Sequence, residues 1–403
     1  MPRPPAGDPL EAFTAEEIRA CVGYAKPRQR WALATLAVQL LVLAVLALTG
    51  TGRSAVSRFA GLAGDWVPGR AALAAAAVVV AQAIATLPFS VRAWRQDVRA
   101  GLSAQRLPAW AADWLKARAV GLVLAALPVA ALVLAARGRP PGYPWTAALV
   151  AAALVVALSL LGPVVLEPLF NRFSPLPAGP LRERVLAMAA GMGVPVSDVL
   201  VADASRRTTK VNAYVSGLGR TRRVVVYDTL VERAGEDEVT LVLAHELAHV
   251  RHRDVFWGTA AAAAAAAVGV LGADLLLGLP AVGDAFGVAG LGDPLAAPAV
   301  LLMATLAGLA AAPVAGLVSR WSEARADWTA LEVSGDAATA VAVERRLALE
   351  NRADLRPNRL LVAWFSSHPP TMARIAQARL WAAGHAAPSG PGGSGPGPRP
   401  HFS

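Results

Sequence analysis

The chain has 403 residues, 55% of them hydrophobic and 16% charged, with a formal net charge of +10 at pH 7. The apolar residues gather into long uncharged runs, which excludes an ordinary soluble domain. A single cysteine, Cys21, excludes an intrachain disulfide and a thiolate metal cluster. The positive charge comes with no aromatic-interleaved basic patch, so it is read as a topology signal and a match for anionic lipid, with no nucleic-acid partner.

Taken in chain order, a polar N-terminal segment (1–30) precedes four apolar runs: Trp31 to Thr49, Ala71 to Val91, Val120 to Ala136 and Trp145 to Leu166. Each is about 17 to 25 residues, long enough to cross the hydrocarbon as a helix. The first is expected to be a retained span, because no small-x-small cleavage pattern ends it. A polar insert (167–255) reads as a small α+β unit. It has a helix over Leu181 to Ala190 and a strand over Val199 to Ala202. Two further strands, Val211 to Val215 and Arg223 to Tyr227, form a hairpin about Gly217-Leu-Gly219. Glu236 to Arg251 resumes a helical pattern that runs toward a fifth span, Phe256 to Leu279, and a sixth, Ala297 to Val318. Segments Ser322 to Leu349 and Pro370 to Ala383 read as helices of a C-terminal part (320–385). A proline-, glycine- and serine-rich tail (386–403) is expected to be disordered. The predicted architecture is a predominantly α-helical multi-pass membrane protein of six spans with one small α+β domain.

Six crossings place the N-terminal segment, the loop 92–118, the insert and the C-terminal part on one side. That side carries Lys26, Arg28, Arg30, Arg92, Arg95, Arg99, Arg106, Lys116, Arg118, Arg251, Arg253 and Arg320 near span ends. The opposite loops hold Arg53, Arg58, Arg70, Arg137 and Arg139. By the positive-inside rule the richer side faces the cytoplasm. The predicted location is therefore the cell membrane, with the insert on its cytoplasmic face.

Within the insert, His245-Glu246-Leu247-Ala248-His249 places two imidazoles one helical turn apart with a carboxylate beside the first. On a helix both rings reach one ion and Glu246 reaches a water bound to it, the pattern of zinc-assisted peptide hydrolysis. Zinc needs a third protein ligand. His252 lies on the same helix but about 7.5 Å beyond the level midway between the two histidines. Val255 stands where an extended motif would carry its last histidine. Topology nominates Glu323 instead, because the sixth span returns to the motif's side just before it. Asp327, four residues on, shares its helix face and is suited to hold a histidine ring as an acceptor. Taken alone, these acids also fit an exposed face paired with Arg320 and Arg325.

Further segments complete a pattern: Glu167-Pro-Leu-Phe170-Asn171-Arg-Phe173, Val211-Asn212-Ala213-Tyr214, Val226-Tyr227-Asp228-Thr229-Leu230, Glu323-x-x-x-Asp327, and Ser367-His368-Pro369-Pro370 with Arg374. Together with the histidine motif they resemble the M48 peptidases, specifically the Ste24-type CAAX prenyl endopeptidases, from about Phe13 to Trp381. The resemblance implies a zincin-like (gluzincin) catalytic domain with one zinc ion held by His245, His249 and Glu323. It implies Glu246 as general base, Asp327 as a ring-orienting acceptor, and the strand Asn212, Ala213 and Tyr214 as a hold on the substrate backbone. It also implies that His368 and Arg374 position the scissile group or stabilise the oxyanion. The eukaryotic enzymes of this group have seven spans around an intramembrane chamber; six are counted here.

Each role has a rival. Asn212 alone is a turn-flanking polar residue, His368 before two prolines a loop residue, and Arg374 a solvated helix charge. Asp274 inside the fifth span is either functional or exposed at the interface. The function that follows is a membrane zinc metalloendopeptidase acting on a peptide or protein, lipidated or membrane-anchored. The alternatives are an HtpX-like quality-control protease, which has fewer spans and shorter chains, and a non-catalytic scaffold or transporter with a structural metal. Glu246 and an open fourth ligand position argue against the last.

Overall fold

The computed structural model describes residues 8–138, 140–217 and 219–385. The tail from Ala387 onward lies outside them. In chain order the first helices are α1 (Ala15–Leu48), α2 (Gly50–Gly61), α3 (Val67–Arg99), α4 (Leu107–Ala136), α5 (Tyr143–Leu161) and α6 (Glu167–Phe170). Next come β1 (Phe173–Pro175), α7 (Pro180–Gly191), β2 (Asp198–Ala202), β3 (Ala213–Ser216), β4 (Arg223–Tyr227), α8 (Asp228–Arg233) and α9 (Glu236–Arg251). The chain closes with α10 (Asp254–Leu277), α11 (Pro280–Phe286), α12 (Ala297–Ser334), α13 (Ala337–Glu350), α14 (Arg359–Phe365) and α15 (Thr371–His385).

Among the described residues six helical stretches are long and apolar enough to cross a membrane: α1, α3, α4, Tyr143–Phe170, α10 and α12. They coincide with the six runs expected from the sequence, and the protein is a multi-pass membrane protein. The outer helices extend beyond the apolar runs at the polar ends. α1 begins at Ala15, sixteen residues before the run, and α12 continues to Ser334. The single helix expected over Ser322 to Leu349 is therefore two. Gly335 takes a left-handed φ of 67° that ends α12, and Asp336 caps α13, its Oδ1 accepting from the Thr339 N–H at 2.9 Å.

The chain forms two compact units, one of residues 27–170 and 255–311, the other of residues 1–26, 171–254 and 312–403. In the first, small residues let helices approach closely: Ala71, Ala74 and Ala75 of α3 pack with Val129 and Val133 of α4, and Ala147 and Ala151 of α5 with Leu132, Ala136 and Val270. Pro163 interrupts the fourth span with a wide turn over Gly162–Leu166, since proline lacks the N–H that a regular helix needs. Asp274, an acid inside the fifth span, accepts the Tyr143 hydroxyl at 3.1 Å. The opposite faces of these helices expose large apolar side chains such as Ile84, Leu127, Leu149 and Leu275, as lipid contact requires.

The second unit is built on a four-stranded mixed sheet in the order β1-β2-β4-β3. β2 and β4 run parallel, while β1 and β3 add antiparallel at the two edges. The β3–β4 hairpin is the one expected. Gly217 has φ 84°, and a Cβ there would meet the Thr221 carbonyl oxygen at 2.5 Å, so the turn tolerates only glycine. Val224, Val225 and Val226 of β4 are fully buried, the pattern of a strand covered on both faces. Val185 and Ala189 of α7 and Val239, Leu243 and Leu247 of α9 complete that core. Strand β1 has no sequence signal, being three residues that end at Pro175. The N-terminal segment also belongs to this unit: Phe13 and Cys21 are buried against Ala348, Leu355 and Ile375.

Candidate active site

Helix α9 is strongly specified at its start. Glu236, Asp237 and Glu238 fill its first turn at the positive end of the helix dipole, and the Glu238 carboxylate accepts from the Gly235 N–H at 3.0 Å. Val239, Leu243 and Leu247 then press one face into the sheet core. The same register carries His245 and His249 together onto another face, one turn apart.

There the two imidazoles meet Glu323 of α12. The Nε2 atoms of His245 and His249 are 3.2 Å apart; Glu323 Oε2 lies 3.3 Å from the first and Oε1 3.5 Å from the second. Among the described residues these three form the group able to hold a metal ion. The donor set fits zinc. Bonds of about 2.0–2.1 Å at tetrahedral angles place ligand atoms roughly 3.3–3.4 Å apart; the two Nε2 atoms are near that spacing, and Glu323 turns one carboxylate oxygen toward each ring. Each ring is also turned to leave Nε2 facing the centre. His245 Nδ1 is 2.8 Å from Asp327 Oδ1, and His249 Nδ1 is 2.8 Å from Asp254 Oδ2, so each outer nitrogen has a carboxylate to which it donates.

The electrostatics follow from burial. His245 is 9% exposed, which alone lowers the pKa of its ring; hydrogen bonds to Asp327 and Glu323 outweigh this and push it up to about 10. Burial raises the Glu246 carboxyl above its ordinary value, against the pull of His245 and His249. Arg374 Nε donates to Asp327 Oδ2 at 2.8 Å, Nη2 bonds Asp327 Oδ1, and Nη1 pairs with Glu344 Oε1 at 2.8 Å. These carboxylates hold the buried guanidinium above its usual value despite desolvation. Burial in turn raises the Glu344 carboxyl, countered in part by Arg374.

Of the residues nominated from the sequence, His245, Glu246, His249, Glu323, Asp327, His368 and Arg374 lie together. His368 is exposed, with Nδ1 2.7 Å from Glu323 Oε2. Arg374 is engaged by two carboxylates, a placement that ties it to Asp327 and so to the His245 ring. His252 stands apart, its Nε2 3.0 Å from the Thr329 hydroxyl. Asn212 is exposed and precedes β3, while Ala213 and Tyr214 lie on that edge strand, with Ala213 buried against the α9 core. Asp254 and Glu344 were not anticipated. The signal for Asp254 is an acid five residues past the second histidine, beyond the end of its helix; Glu344 sits in a helix whose tertiary partner has no local sequence mark.

Residues 175–382 match the model of peptidase family M48, and residues 7–172 match that of the CAAX prenyl protease N-terminal region, described as five membrane helices. A Bacillus subtilis protein named as the uncharacterized metalloprotease YhfN is 26% identical over 297 residues, 73% of this chain and 70% of its own length. A CAAX prenyl protease 1 homolog of Oryza sativa is 34% identical over 179 residues, 43% of this chain and 41% of its own, so this likeness spans less than half of that relative. The crystal structure of S. mikatae Ste24p shares the fold, with a TM-score of 0.76 at 18% identity over 94% of this chain and 92% of that one. Matched over more than half its length, and carrying the His-His-Glu group on the helix and span where that match runs, the chain belongs to peptidase family M48.

Proposed function

We propose that the protein is an integral membrane zinc metalloendopeptidase. The observation that carries this reading is the convergence of the His245 and His249 Nε2 atoms, 3.2 Å apart, on the Glu323 carboxylate, whose Oε2 lies 3.3 Å from the first and Oε1 3.5 Å from the second, with the Glu246 carboxylate on the same helix as the histidines. Bound there, zinc would supply Lewis-acid polarisation of the scissile carbonyl and of the attacking water. Glu246 takes the proton from that water as its oxygen bonds to the carbonyl carbon, and returns it to the amine as the C–N bond breaks. The raised pKa of Glu246 suits both halves of that exchange. Asp327 keeps the His245 ring in the tautomer that leaves Nε2 free, and Arg374 fixes Asp327 in turn. His368 donates to the developing oxyanion, a role supported by its exposure beside Glu323.

Strand β3 is an edge of the sheet, and its position beside α9 supports binding of an extended peptide by strand addition, with Asn212, Ala213 and Tyr214 as the backbone hold. The substrate is a peptide segment near a lipidated or membrane-anchored end. The name of the Oryza sativa relative and the six spans support that class. The charge asymmetry of the loops supports a site that faces the cytoplasm.

The test uses protein purified in detergent. Bound zinc is measured, and cleavage of a farnesylated peptide, its unlipidated twin and unfolded casein is compared, with Glu246→Gln as control. Zinc near one per chain and Glu246-dependent cleavage of the lipidated peptide alone are expected. Cleavage of all three substrates alike would remove the lipid from the reading, and undiminished activity in the variant would remove Glu246 from the mechanism.

A further inference from the structure

Helix α9 ends at Arg251, and His252 closes it as a C-cap. The next residue, Arg253, has a φ of 58°. A non-glycine residue in the left-handed region is uncommon, because its Cβ crowds the backbone. Arginine has none of the short side chain that eases asparagine or aspartate into this conformation. Such strain persists only where surrounding contacts over-determine it, and it concentrates at functional sites.

Its consequence here is geometric. In an unbroken helix Asp254, five residues past His249, would point about 140° around the axis from it, out of reach. The left-handed turn at Arg253 ends that register and makes Asp254 the first residue of α10. Its Oδ2 then lies 2.8 Å from His249 Nδ1. The other carboxylate oxygen is bonded by Arg325 Nη2, whose guanidinium lies 4.5 Å from the Trp321 ring centroid. Asp254 is thus held from both sides, with its side chain 14% exposed and that of His249 18% exposed.

The arrangement repeats the one at the other histidine. Asp327 meets His245 Nδ1 at the same 2.8 Å and is itself clamped by Arg374. We infer that Asp254, presented by the left-handed Arg253 and clamped by Arg325, is the positioning residue for His249, fixing the ring so that Nε2 faces the metal. This rests on the proposed metal site and adds a residue to it. A neutral imidazole whose Nδ1–H donates to a carboxylate is locked in one tautomer and orientation, and is a more basic ligand through its other nitrogen.

The experiment measures zinc dissociation constants of the purified full-length protein by competition with a chromophoric chelator, for wild type, Asp254→Ala, Asp254→Asn, Arg253→Gly and Arg325→Ala. The visible ligand-field bands of the cobalt-substituted forms are recorded alongside. Asp254→Ala is expected to weaken zinc about 10- to 100-fold and to shift the cobalt bands. Asp254→Asn, which keeps an acceptor oxygen without the charge, should recover part of the affinity. Arg325→Ala should lose less than Asp254→Ala, and Arg253→Gly, which keeps the left-handed turn at no steric cost, should bind as wild type. Because a poorly folded Asp254→Ala would weaken binding trivially, the decision then passes to Asp254→Asn, read with the melting temperature of its metal-free form. Wild-type affinity and an unshifted cobalt spectrum in both Asp254 variants would overturn the inference while leaving the metal site intact. Failure of the wild-type protein to bind either ion would overturn the site itself, and the inference with it.

Discussion

His245 and His249 present their Nε2 atoms 3.2 Å apart with their rings at 87° to one another, so two side chains of one helix aim at one point from different directions. Helical periodicity supplies only the common face. The angle between the rings is set by two acids from elsewhere, Asp327 and Asp254, each holding the outer nitrogen of one ring. A rigid pair of imidazoles costs little to organise when an ion arrives, which is how a buried polar cluster of this kind favours binding over collapse.

Replacing Glu246 separates chemistry from binding. Glu246→Gln is expected to lower turnover by about 10²- to 10⁴-fold while zinc content stays near that of the wild type, because the residue is outside the ligand triangle. Glu323→Ala should lose both. Elemental analysis of the purified variants and a peptide-cleavage assay read the two effects independently.

His252→Ala is expected to be mild. The ring bonds the Thr329 hydroxyl at 3.0 Å, and losing that bond costs about 1 kcal/mol of stability. Zinc content should match the wild type; a variant stripped of its ion would place His252 among the ligands and displace Glu323.

Arg374→Ala removes the shared cation of Asp327 and Glu344, taking Glu344's ion-pair partner away and leaving buried Asp327 with the His245 ring alone. Breaking a buried pair in this way costs about 3–5 kcal/mol. A fall in melting temperature of the metal-free protein checks this, since the loss needs no bound ion. Arg374→Lys should recover only part, as a single ammonium does not reproduce the forked contact with Asp327.

Zinc binding should release a proton from His245. Without the ion its pKa is about 10, held up chiefly, against burial, by Asp327 and Glu323. At pH 7 the ring is therefore protonated on both nitrogens, and the Nε2 proton must leave before that nitrogen can bind the metal. Because the free form is the one that binds, affinity rises with pH up to about 10 and falls on acidification. Titration calorimetry at pH 7 in buffers of differing ionisation enthalpy should show about one proton released per zinc from this ring. An observed heat independent of the buffer would contradict it.

The six spans were legible because lipid imposes a one-dimensional rule: about twenty apolar residues in a row, whatever their partners. The hairpin was legible from alternation about a glycine pair, and the two histidines from a spacing of four on a helix. Local signals failed where a neighbour distant in the chain decided the outcome. Strand β1 exists because β2 offers it an edge, and the helix through Ser322 to Leu349 breaks at Gly335, a residue whose left-handed turn the apolar periodicity did not mark.

The sequence by itself determined that this is a membrane-embedded chain with a histidine pair and a neighbouring carboxylate at fixed helical register, since hydropathy and periodicity are properties of consecutive residues. Only the tertiary structure decided which acids face those rings. Asp254 reaches His249 through a left-handed residue, and Glu344 reaches Asp327 only through Arg374. Charge pairing depends on distance in space, and a distance of 2.8 Å between side chains on separate helices is fixed by packing, which no run of adjacent residues encodes.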